Sequence, residues 1–283
     1  MHSTLELSEL HDHVGRLFMA GMPGPHLDAG TISLIRERGL GGVILFKRNI
    51  EDPLQVAALC NDLQETALKC HGIPLFLAVD QEGGRVARMQ KPFTRFPGNS
   101  AIGHGHNSRD MAARFGRVTA MEMRLVGLNM NMAPVLDVPR LGRIVIKALQ
   151  ENGVMAVGKH FPGLGKARLD PHEHLPTIEA DQQEIETLNL PSFQAAIREG
   201  VSAVMTSHAL YPGEAGNDIL LICEDQGLVR ESMDKLRNRL LTNETLLSRL
   251  HESVARIMAA KEKIGSWAPV SLKEVKRYFK NKA

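Results

Sequence analysis

A parallel α/β fold is what this sequence predicts, on three observations. Short apolar runs alternate with longer stretches of helical periodicity, the mark of βα units around a parallel sheet. Glycines punctuate the helix-to-strand joins at 39–42, Gly127, Gly153 and Gly200, where the left-handed C-cap position favours them. The C-terminal ends of the apolar runs carry polar residues: Lys47 and Arg48, Asp80 and Glu82, Asp137, Lys159 and His160, Thr206 and His208. In a closed barrel those residues converge on one face. In a doubly wound open sheet they line a crevice instead.

Seven runs read as strands, at 17–22, 42–46, 73–80, 128–138, 154–161, 203–210 and 219–223. Helical patterns fall between them, as at 52–69 (Leu54, Val56, Ala57, Leu59, Leu63) and 109–126 (Met111, Phe115, Val118, Met121, Leu125), and later at about 183–199 and 243–264. One connection breaks the pattern. Leu210 and Ile219 are joined by YPGEAGND, whereas parallel strands need a crossover of about a dozen residues or more. Either these two strands form a hairpin, or a segment that belongs between them is absent.

The 283 residues suit a single α/β barrel. Hydrophobic residues at 43% and charged residues at 23% describe an ordinary globular protein, so function must come from sites. A formal net charge of +2 gives no basic surface for tracking phosphates, and no nucleic-acid partner is expected. The stretch 273–282 is locally basic and reads as a solvated amphipathic helix. Cys60, Cys70 and Cys223 are odd in number and widely spaced, as in a reducing compartment. The N-terminus lacks a signal-peptide pattern and no apolar run is long enough to span a bilayer, so a cytoplasmic protein without membrane contact is expected.

The densest collection of reactive side chains is KHFPGLGKARLDPHEHLP, 159–176, on the loop after the fifth apolar run. Adjacent residues of a regular strand point to opposite faces, so Lys159 and His160 should diverge. Lys159 has three readings: a polar binding group, a Schiff-base amine and a surface residue. Nucleophilic lysine needs desolvation or a cationic neighbour. Asp170 and His172, two apart across Pro171, can form a carboxylate-oriented acid/base histidine. His174 invites a metal reading, but a third ligand at recognisable spacing is missing, and no metal is expected. His104 and His106 read as a solvated loop, and 163–166 lacks the P-loop pattern. At Asp80, Gly83 and Gly84 allow a sharp turn, so this carboxylate either pairs with Arg85 or Arg88 or accepts hydrogen bonds from substrate hydroxyls.

The segments LFMAGMPG, GGVILFKRNI, VDQEGGRVARM, VGLNMNMAPVLDV, GKHFPG with DPHEHLP, VMTSHALYP and AGNDILLIC together resemble glycoside hydrolase family 3. The resemblance is narrower with its single-domain bacterial β-N-acetylhexosaminidases of peptidoglycan recycling, and it extends to about Gly265. It implies a (β/α)8 barrel over residues 1–265, with 266–283 a basic tail packed on or extending from it. It also implies a retaining mechanism on terminal N-acetylglucosaminides, no cofactor, and a monomer. His172 and Asp170 match the acid/base pair. Asp80, Arg88, Lys159 and His160 match sugar-holding positions, and Asp137 and His208 match the barrel mouth.

The chain departs from the family in three places. Leu164, Lys166 and Arg168 replace polar or acidic loop residues. An arginine-bearing stretch is missing between Val138 and Leu141. One βα segment is missing between Pro212 and Gly216, and it is the segment that ends in the nucleophilic aspartate. If that segment is truly lacking, a non-catalytic muropeptide-binding barrel is the alternative, and a Schiff-base aldolase using Lys159 is a third.

Overall fold

A computed structural model describes residues 7–136, 139–163, 186–187, 190–207, 216–280 and 282. The chain forms two compact units, one from Met1–Ala78, Leu125–Leu128 and Gly216–Lys282, the other from Val79–Arg124 and Asn129–Ala215.

The first unit begins with α1 (Leu7–Arg16), β1 (Phe18–Gly21), α2 (Ala29–Arg38), β2 (Gly42–Leu45), α3 (Pro53–His71) and β3 (Phe76–Val79). Local sequence sets the limits of these helices. Asp52 caps α3 by accepting hydrogen bonds from the Leu54 and Gln55 amides, Pro53 occupies the first turn, and Gly72 ends the helix at φ 66°. Gly39 closes α2 in the same way, at φ 65°. Phe18, Met19, Val43, Ile44, Phe76 and Leu77 are buried, as continuous apolar runs in a parallel sheet require.

In the second unit β3 runs into a small antiparallel ribbon, β4 (Gln81–Gly83) and β5 (Val86–Ala87). Then follow α4 (Asn99–Gly103), α5 (Ser108–Leu125), β6 (Met130–Asn131), α6 (Pro139–Glu151), β7 (Met155–Phe161), α7 (Leu190–Arg198) and β8 (Ala203–Thr206). The strands β6, β7 and β8 pair in parallel. α5 and α6 approach so closely that a Cβ on Gly116 would lie 2.6 Å from that of Ala148. The chain returns to the first unit with β9 (Leu220–Ile222), α8 (Gln226–Leu240), α9 (Glu244–Glu262) and α10 (Leu272–Lys280).

All seven expected strands are present, β1–β2, β1–β9, β6–β7 and β7–β8 pair in parallel, and helices separate the expected strands up to β8, so the α/β class holds. Two expectations are corrected. The run at 128–138 yields only the two residues of β6 and a single bridge from Val135 to Lys159. The hairpin option for the 210–219 connection is excluded, because β9 pairs in parallel with β1. The absent-segment option remains.

One buried charge in the first unit predicts a pH dependence. Lys261 on α9 is 4% exposed, its Nζ donates to the carbonyls of Gly41 (2.8 Å) and Pro74 (2.6 Å), and it lies 5.0 Å from the centre of the Phe76 ring. Burial, with a smaller contribution from the Arg16 charge, pulls its pKa down from 10.5 to about 7. A lysine depressed on folding binds more protons in the unfolded chain between those two values, so stability should rise with pH across that window. Urea melts at about pH 7.5 and about pH 9.5 should show this rise in the wild type. Lys261→Met should remove it, and an unchanged pH response in that variant would refute the assignment.

Candidate active site

The second unit gathers four charged side chains from two stretches of chain. Lys159 Nζ lies 2.7 Å from Asp80 Oδ1 and 2.6 Å from Glu82 Oε1. Arg88 Nη2 stands 3.9 Å from Asp80 Oδ2. The side chains of Lys159, Asp80 and Glu82 are 4%, 14% and 16% exposed, and that of Arg88 is 33% exposed. Two cations balance two anions, the condition under which charges tolerate burial.

The backbone explains why these groups meet. β3 ends at Val79, whose carbonyl accepts from the Met132 amide at 2.9 Å, and Asp80 follows at once. The fully buried Asn131 then acts as a substitute strand. Its Oδ1 accepts from the Gln81 amide and its Nδ2 donates to the Gln81 carbonyl, both at 3.0 Å. The Gln81 side chain repeats the device one layer on, accepting from the Met89 amide and donating to the Met89 carbonyl. Gly83 and Gly84, both at positive φ, make the turn between β4 and β5 that returns Arg88 beside Asp80. The register of the ribbon slips between Gln81 and Gly83, which puts Glu82 at a β-bulge.

Lys159 is held from the other side. Its amide donates to Pro134 O at 3.2 Å and its carbonyl accepts from Leu136 N at 2.9 Å. The expected divergence of Lys159 and His160 in a regular strand does not apply. β7 slips register against β8 between Lys159 and Phe161, leaving His160 as the extra residue of a second bulge, and the Lys159–His160 peptide is cis. Lys159 is buried and His160 is half-buried. The surface reading of Lys159 is thereby excluded. Its close neighbours are anionic, the reverse of what an amine nucleophile requires.

Of the residues the sequence singled out, Asp80, Arg88 and Lys159 come together. Asp137, Asp170, His172 and His208 lie outside the described residues. His104 and His106 are exposed, as read from sequence. Asp218 stands in the first unit, bound by Arg249 (2.9 Å) and Arg256 (3.0 Å). Its burial favours the neutral acid, but hydrogen bonds from Arg256, Ser253 and Arg249 outweigh that and hold the carboxyl below its ordinary range. It is a structural carboxylate. Asn131 and Gln81 escaped the sequence reading. The available signal was polarity in the wrong place, an asparagine inside the apolar run NMNMAPV.

A hollow of about 350 Å³ is lined by Ile102, Ala112, Pro134, Val135, Leu141 and Val145 among others.

The chain matches the model of the glycosyl hydrolase family 3 N terminal domain in two pieces, residues 9–144 and 138–214. The two pieces overlap at 138–144, and the match ends at residue 214. A beta-hexosaminidase of Methylobacillus flagellatus is 33% identical over 219 residues, covering 69% of this chain and 62% of the relative. One from Pseudomonas aeruginosa is 35% identical over 214 residues, covering 69% and 63%. The chain therefore spans about three fifths of the length of these curated relatives. Among solved structures, a glycoside hydrolase family 3 β-N-acetylglucosaminidase from Paenibacillus sp. str. FPU-7 superposes over 99% of this chain and 69% of its own, with a TM-score of 0.86 and 28% identity. NagZ from Neisseria gonorrhoeae, in complex with N-trifluoroacetyl-D-glucosamine, covers 88% of this chain and 96% of its own, with a TM-score of 0.69 and 25% identity.

Proposed function

The chain belongs to glycosyl hydrolase family 3, and from that premise we propose that it is a retaining glycoside hydrolase removing terminal β-linked N-acetylglucosamine from muropeptides or related glycosides. The observation that carries this reading is the charge-balanced cluster of Asp80, Glu82, Arg88 and Lys159, in which Asp80, Arg88 and Lys159 match positions where the family holds its sugar. A carboxylate fixed on one oxygen by lysine keeps its second oxygen for a sugar hydroxyl, and a charge-assisted bond of that kind is strong and directional. Arg88 donates to a neighbouring sugar oxygen, and His160, carried on its bulge, borders the same sugar. Asp137 and His208 complete the mouth. His172, oriented by Asp170, protonates the glycosidic oxygen and then activates water.

The family mechanism also needs a nucleophilic carboxylate about 5 Å from the acid/base group. By the family pattern that residue would fall between Pro212 and Gly216, where Gly213, Glu214 and Ala215 do not match the family's aspartate segment and lie outside the described residues. That one observation favours a second reading, a muropeptide-binding barrel without turnover. The aldolase reading loses ground to the anionic setting of Lys159. No helix among the described residues is long and apolar enough to cross a membrane. On the family resemblance, the setting proposed is a cytoplasmic monomer without cofactor, nucleic acid or metal.

A chromogenic N-acetylglucosaminide and a calorimetric titration with N-acetylglucosamine separate the two readings. Turnover with binding is the expected result. Micromolar binding without turnover selects the second reading, and no binding at all would sink both.

A further inference from the structure

We propose that Glu82 is a positioning residue of this site: it anchors the Lys159 ammonium from the side opposite Asp80 and so keeps one Asp80 oxygen free for the sugar. The inference rests on the sugar-binding reading above, and its geometry stands on the two ion pairs of one lysine.

A lysine ammonium has three N–H donors on a flexible stem and no directional preference of its own. Facing one carboxylate alone, it is free to swing between the two oxygens or straddle both. Here it is held between Asp80 Oδ1 at 2.7 Å and Glu82 Oε1 at 2.6 Å, with its side chain 4% exposed. Among the described residues, Asp80 Oδ2 is paired with Arg88 alone, at 3.9 Å. That oxygen is the acceptor a sugar hydroxyl needs. Glu82 is placed for this task by the bulge between Gln81 and Gly83, which sets it one residue beyond the clamped Gln81. With Glu82 neutralised the four-charge cluster carries an excess positive charge beside one remaining carboxylate. Lys159 then shifts onto both oxygens of Asp80 and competes with the ligand.

Two measurements test this. The first is calorimetric titration of N-acetylglucosamine into the full-length wild type, Glu82→Gln and Glu82→Asp. Glu82→Gln should weaken binding about tenfold, equivalent to about 1.4 kcal/mol. Glu82→Asp, which keeps the carboxylate, should recover most of that loss. The second is a crystal structure of Glu82→Gln without sugar, which should show the ammonium displaced toward Asp80 Oδ2. Wild-type affinity in Glu82→Gln overturns the proposal. So does an unmoved Lys159 with weakened binding, since Glu82 must then touch the sugar itself. If the wild type binds no N-acetylglucosamine, the sugar reading fails, and the crystal structure still decides whether Glu82 holds Lys159.

Discussion

Lys159→Met is expected to cost about 3–5 kcal/mol of folding stability and to abolish binding of N-acetylglucosamine. The reason is the position of the lysine, not its chemistry as a nucleophile. Its ammonium is the close counter-charge of two carboxylates that are 14% and 16% exposed, and Arg88 is too distant from Asp80, at 3.9 Å, to replace it. Removing it leaves two like charges side by side in a poorly solvated place. Urea denaturation of the variant measures the loss. The triple change Lys159→Met, Asp80→Asn, Glu82→Gln should recover much of the stability but none of the binding, since neutral replacements of a buried ion pair are often tolerated. A loss below about 1 kcal/mol in Lys159→Met would show that the cluster behaves as an exposed surface pair.

The second large effect is expected at a residue that carries no charge. Asn131→Leu should lower stability by about 2–6 kcal/mol, because it orphans both the amide and the carbonyl of Gln81, at about 1–3 kcal/mol for each buried polar group. Asp80 and Glu82 flank Gln81, so the two carboxylates lose their common support. A displacement of about 1 Å in a site can cost on the order of 100-fold in function, and a similar loss of affinity is expected in titration calorimetry. Near-normal binding by a folded Asn131→Leu protein would show that the ribbon is held by other contacts.

These two residues mark the boundary of what could be read from sequence. Lys159 stood out because a lysine ends an apolar run, and strand ends are where a parallel fold builds its site. The positions of Asp80 and Arg88 followed from the same rule together with Gly83 and Gly84. The pairing of Lys159 with Glu82 did not follow, because the partners are 77 positions apart, a separation that local periodicity does not encode. Asn131 was hidden for a related reason. In a run read for alternation and apolarity, a single amide counts as noise, whereas its two hydrogen bonds go to the backbone of a different stretch. The divergence of Lys159 and His160 held only for a regular strand, and the slipped register between Lys159 and Phe161, which depends on the neighbouring strand, removes that condition. The capping glycines Gly39, Gly127, Gly153 and Gly200, by contrast, were legible, since each lies at positive φ for reasons contained in its own few residues. Asp170 and His172 rest on the family pattern.

The clamp on Gln81 separates the ribbon's backbone support from its charges. Asn131, Gln81 and Met89 interlock through main-chain groups, while Asp80 and Glu82 on either side are half-buried, with Gln81 between them buried. Backbone register and charge placement are thus set by different residues: a substitution at 80 or 82 alters the charge balance around the buried Lys159, while the main-chain interlock of 81, 89 and 131 makes no use of either carboxylate.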